Sequence, residues 1–144
     1  MRKSLIAVLA VLTLGGCGGA VHVEPPKPTG DALAMCDRLA PFLPQTLDGT
    51  GRVESSPASP YVAVWDSGRI ALRCGVPRPA NMAATDRLSE VNGVGWFPDP
   101  KKPTLFTAVT DLGYIELTVS REHTPAGVMV ELSEPITKAL AKTG

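Results

Sequence analysis

The hydrophobic and polar positions divide the chain into three unlike stretches. Leu5 to Leu14 is one unbroken apolar run behind Arg2 and Lys3. Gly18 to Gly30 is rich in Pro and Gly and has no periodic apolar pattern. From Asp31 onward the pattern becomes periodic. Asp31 to Leu43 places Ala32, Cys36, Leu39 and Leu43 on one helical face, with Thr29 or Asp31 to cap its start and Pro41 and Pro44 to end it. Asp48-Gly49 and Gly51 mark a turn. The period then shortens to two. Arg52–Ser56 is a weak strand, and Tyr61–Trp65 is a β-branched and aromatic one. Asp66-Ser67-Gly68 turns the chain, and Arg69–Cys74 returns with Ile70, Leu72 and Cys74 on its apolar side.

Gly75 to Ala84 reads as a crossover. Leu88–Val91 and Val94–Phe97 flank Asn92-Gly93, a dipeptide suited to a two-residue hairpin because both positions need positive φ. Leu105–Thr110 and Tyr114–Val119 form a further hairpin, with Ile115, Leu117 and Val119 facing inward. Thr124-Pro125 opens a last helix with Val128, Leu132, Ile136 and Leu140 as its core stripe. Pro135 is expected to kink or divide that helix, with Ser133 capping the second half. The predicted architecture is α+β: an antiparallel sheet of four to six strands with an N-terminal and a C-terminal helix on one face.

The first stretch is an address. As a helix, Leu5 to Leu14 spans only about 15 Å, half of a bilayer core, so it fits the apolar region of a secretory signal. Leu14-Gly15-Gly16-Cys17 then resembles the bacterial lipobox. That resemblance implies a signal peptide over residues 1–16, a diacylglyceryl group on the Cys17 thiol, and anchorage at the outer face of the cytoplasmic membrane. Residues 17–30 are expected to form a lipidated tether standing off the membrane by up to about 40 Å. Residues 31–144 are expected to form one domain.

Lipidation of Cys17 makes the cysteine count even. Cys36 and Cys74 both lie on apolar faces, and in an oxidising compartment they are expected to pair. A loop of that length stabilises the fold by roughly 3–4 kcal/mol. The disulfide would staple the first helix to the sheet. Two free buried thiols or a metal site are the competing readings. The only histidines are His22 and His123, and no metal-ligand spacing is present.

Charge narrows the partners. With Lys+Arg 14 and Asp+Glu 14 the net charge is zero, and removing the signal leaves a small acidic excess. That balance excludes an electrostatic nucleic-acid binder. No phosphate loop, nucleophile elbow or dinucleotide fingerprint occurs, and no cofactor is indicated.

The blocks W-x(2)-G-x-I-x-L-R-C-G-V at Trp65–Val76 and V-N-G-V-x-W at Val91–Trp96 resemble a family of small secreted or lipid-anchored actinobacterial proteins, domain of unknown function 3515. The likeness runs from Cys36 to about Leu140. Asp66 stands where that family usually has Gly. The resemblance implies an extracytoplasmic envelope protein and carries no activity.

Three functions follow as expectations. The first is a non-catalytic accessory lipoprotein that binds an envelope protein or polymer. Trp65, Arg73 and Trp96 are its candidate binding surface, since an exposed Trp beside Arg stacks on sugars or grips anions. The alternative for these three residues is ordinary packing and a surface ion pair. The second function is a carrier holding a small or lipidic ligand between sheet and helices. The third is an envelope hydrolase, which requires Asp66, Arg73 and His123 to converge on one pocket.

Overall fold

The computed structural model describes residues 19–141. Its element order is β1 (Val21–His22), α1 (Gly30–Leu39), β2 (Thr46–Leu47), β3 (Thr50–Val53), β4 (Ser55–Ser56), β5 (Val62–Trp65), β6 (Ile70–Val76), β7 (Ser89–Val91), β8 (Val94–Pro98), β9 (Leu105–Val109), β10 (Tyr114–Val119) and α2 (Pro125–Leu140). Eight strands form one sheet in the order β2-β3-β5-β6-β10-β9-β8-β7, and β1 pairs with β4 separately. Every pair in the large sheet is antiparallel. The α+β class and the antiparallel sheet are therefore as expected, with more strands. The extra ones are short edge strands such as β2, whose two residues are too few to show a period.

Period-two alternation survives intact in the central strands. In β6 Ile70, Leu72 and Cys74 point to one side, and in β10 Ile115, Leu117 and Val119 do the same, while a register shift at Gly75 sets Val76 opposite Tyr114. Both helices lie on that side. Leu39 of α1 and Leu132 and Ile136 of α2 meet Leu72, Ile115 and Leu117 in one core, all fully buried. Cys36 of α1 is bonded to Cys74 of β6, so the helix is stapled to the sheet.

The Asn92-Gly93 hairpin forms with φ of 47° and 84°, the paired positive values that its residues favour. Two local expectations are corrected. Helix α2 runs through Pro135 unbroken, and Ser133 is a buried mid-helix residue whose hydroxyl donates to the Met129 and Val91 carbonyls. Thr29 and Thr124 occupy the two N-cap positions without making a side-chain cap bond.

The opposite face of the sheet is covered as well. Val21 donates its N–H to Glu54 and Val23 to Ser56, which docks the chain at β4. Glu24 accepts a bond from Arg73 Nε at 2.9 Å, and Pro26 is buried. A Cβ on Gly75 would run into the Pro28 ring. Residues 21–28 thus run alongside β6 as a strap rather than standing free as a tether. The prolines give them an extended, pre-ordered backbone, and the outward side chains Val62 and Val64 of β5 are buried on the same face. Over the other half of that face, Arg78 reaches the Tyr114 hydroxyl and Asn81 holds Asp99. Leu88 packs where a Gly95 side chain would be. Cys17 and the signal segment lie outside the described residues.

Candidate functional site

The sheet has two distinct ends. At the first, three connections meet: the β2–β3 turn, the β5–β6 turn and the link from β10 to α2. His123 in that link is the hub. Its Nδ1 lies 2.7 Å from Asp48 Oδ2, and its Nε2 lies 2.7 Å from Asp66 Oδ2. The imidazole is only 8% exposed. Asp48 and Asp66 sit in turns with φ of 48° each, a left-handed geometry that Asp tolerates better than most residues. Each turn aims its carboxylate at the ring between them. The Asp48 N–H also donates to Glu131 of α2. Arg69 extends the network outward by bonding Asp66 at 3.3 Å and Glu122 at 2.7 Å.

Ionised carboxylates only accept hydrogen bonds. With both carboxylates ionised and the pH below its raised pKa, both ring nitrogens donate and His123 is an imidazolium. Its pKa is raised above 6.5, chiefly by the hydrogen bond to Asp48 and then by that to Asp66, against an opposing contribution from burial. The Asp66 carboxyl is correspondingly held below 3.8, first by its bond from His123, while the neighbouring Arg69 adds to the effect. In that state the ring has no lone pair for a substrate proton, and it ties the three loops together as a clasp.

At the second end lie the β7–β8 turn, the β9–β10 turn, the start of α1 and the end of α2. They enclose an open groove of about 740 Å³. Ala34, Val109, Leu112 and Leu140 give it an apolar floor, and Asp31, Arg38 and Asp111 supply charge. Arg38 is fixed there by its Nε bond to the Ala139 carbonyl at 2.7 Å.

The residues singled out from sequence fall in different places. Trp65 and Trp96 are 0% and 1% exposed. They are core residues because they share the inward parity of Ile70 and Ala108 across the sheet. Arg73 points to the other face and pairs with Glu116 at 3.0 Å. The expected binding surface of Trp65, Arg73 and Trp96 is therefore not formed, and packing with an ion pair is what the structure contains. Asp66 and His123 do converge, but Arg73 is engaged with Glu116 and the strap instead, so the three-residue pocket of a hydrolase is not assembled. A carrier cavity between sheet and helices is likewise filled by Leu39, Leu72, Leu117, Leu132 and Ile136. Among the described residues no cluster of three His, Cys, Asp or Glu is arranged to hold a metal, and no helix is long and apolar enough to cross a membrane.

The sequence marks Asp48 as a turn residue and gives it no role in a site. Its signal was faint: a lone His in the folded part, and two Asp residues in turns that must adopt positive φ.

A protein family described as "Protein of unknown function (DUF3515)" matches residues 4–144. No curated protein and no solved structure matches the chain.

Proposed function

The chain belongs to the DUF3515 family, whose description assigns no activity, and from its own residues we propose that it is an extracytoplasmic, lipid-anchored accessory protein of the cell envelope. In this reading it is a non-catalytic module that binds an envelope protein or polymer. The observation that carries the non-catalytic reading is the His123 ring, whose nitrogens are both taken by Asp48 and Asp66. Cys36 and Cys74 are bonded to each other, so neither offers a thiol nucleophile. That bond also supports an oxidising compartment, where disulfides persist. The lipobox at Leu14–Cys17 supports the anchor.

The groove beside α1 supports the binding role. Its mixture of apolar floor and fixed charge suits a polypeptide better than a hydrocarbon chain, since Asp31 and Asp111 would be costly to bury against lipid tails.

Fractionation of a lipoprotein-processing host tests this reading. The wild-type chain is expected in the membrane fraction, with an intact mass beginning at Cys17 plus a diacylglyceryl group. Cys17→Ser is expected to lose that attachment. An unprocessed mass, or membrane attachment indifferent to Cys17→Ser, refutes the anchor. For the binding role, Arg38→Glu with Leu112→Lys is expected to abolish capture of an envelope partner that the wild type retains. Equal capture by both refutes the groove.

A further inference from the structure

We infer that the clasp end of the sheet rests against the lipid surface, which leaves the groove end facing away from it. This rests on the lipid anchor proposed above and adds an orientation to it. The argument is one of reach. Cys17 is separated from Val21 by only Gly18, Gly19 and Ala20. A fully extended chain of that length covers at most about 14 Å. From Val21 onward the strap is fixed to the domain by its bonds to Glu54, Ser56 and Arg73. The usable tether is therefore a few residues, not the whole Pro/Gly-rich stretch.

The place where the strap begins is also fixed. Val21 Cγ1 lies 3.1 Å from where a Gly68 side chain would stand, so the strap starts at the β5–β6 turn, beside Asp66. It then passes Arg73 and reaches Gly75, following β6 from the clasp end to the groove end. The seven residues of β6 span about 20 Å. Bringing the groove end down to the bilayer would lift Val21 by about that distance, more than the tether allows. The clasp end has no such conflict. Its exposed residues include Gly49, Ser67, Arg69, Arg121 and Glu122. That is a polar surface suited to the headgroup layer, with Arg121 available to anionic lipids.

The test places a small fluorescent residue at Arg121 or at Asp111 in the full, lipidated chain. Each protein is bound to vesicles of phosphatidylcholine and phosphatidylglycerol that carry nitroxide-labelled headgroups. Quenching is expected to be severalfold stronger at Arg121 than at Asp111. Insertion of about 15 Gly/Ser residues between Ala20 and Val21 is expected to remove the difference, because such a linker outreaches the sheet. Equal quenching at the two sites in the membrane-bound wild type, or stronger quenching at Asp111, overturns the orientation while leaving the anchor in place. A chain whose intact mass shows no lipid on Cys17 overturns the anchor itself, and the orientation with it.

Discussion

Where β6 begins, Asp48, His123 and Asp66 tie three loops together with charge-assisted hydrogen bonds. Where β6 finishes, Cys74 is bonded to Cys36 of α1, and the Pro28 ring closes against Gly75 beside the same sulfur. One end is held by protons and the other by a covalent bond and close packing. The clasp responds to pH, whereas the staple responds only to reductant. The groove lies toward the stapled end, so its walls do not depend on the protonation of His123.

The largest test of that contrast removes the staple. Cys36→Ala with Cys74→Ala is expected to cost about 3–4 kcal/mol in denaturant unfolding, by roughly the same amount at pH 5 and pH 8. A loss that varied steeply with pH would break the contrast.

His123→Ala is expected to cost about 2–3 kcal/mol below pH 6.5, because two charge-assisted bonds are lost and two carboxylates are left facing each other. The wild type carries the matching pH dependence. His123 binds its proton more tightly folded than unfolded, where its pKa is near 6.5. Its contribution is complete below 6.5 and is lost as pH rises through the raised folded value. Asp66 acts with the opposite sign: its contribution is present above 3.8 and is lost as pH falls through its lowered folded value. Stability from the clasp is therefore greatest between these limits, and His123→Ala should flatten the alkaline side of the profile. An unchanged alkaline slope in the variant would refute the clasp.

A smaller effect is expected at the strap. Gly75 has a φ of 86° and no room for a Cβ beside Pro28. Gly75→Ala is expected to cost about 1–2 kcal/mol and to speed amide exchange in residues 21–24, while His123 keeps its pKa by NMR. The smallest effect is at Glu116→Gln. The Arg73–Glu116 pair is partly exposed, and its loss is worth about 0.5 kcal/mol or less. A larger loss would mean that the strap depends on Arg73 being held in place for Glu24.

Much of the fold was legible because it is local. The β6 alternation put Cys74 inward and the α1 stripe put Cys36 inward, which was enough to pair them. Tyr114–Val119 reads as a strand with its boundaries intact. The same alternation also held the answer for Trp65. It lies two residues from Ala63 and opposite Ile70, on the buried side, which favours ordinary packing over the binding surface. The strap was hidden by composition. Pro-rich segments look alike whether they are free or docked, and what docks this one is a Gly at position 75 and a carbonyl acceptor at Glu24.

The sequence alone determined the longer strands, the two amphipathic helices, the inward faces of Cys36 and Cys74 and the expectation of an anchored, extracytoplasmic chain, since each is written in spacing within one short segment. Tertiary structure decided which groups meet across the chain. His123 finds Asp48 and Asp66 at separations of 75 and 57 residues, and the strap crosses to Arg73 from 49 residues away. Hydrophobic periodicity specifies which face of a segment turns inward. It does not specify which polar turn arrives beside which other, because that follows from strand order, and strand order exists only once the sheet has closed.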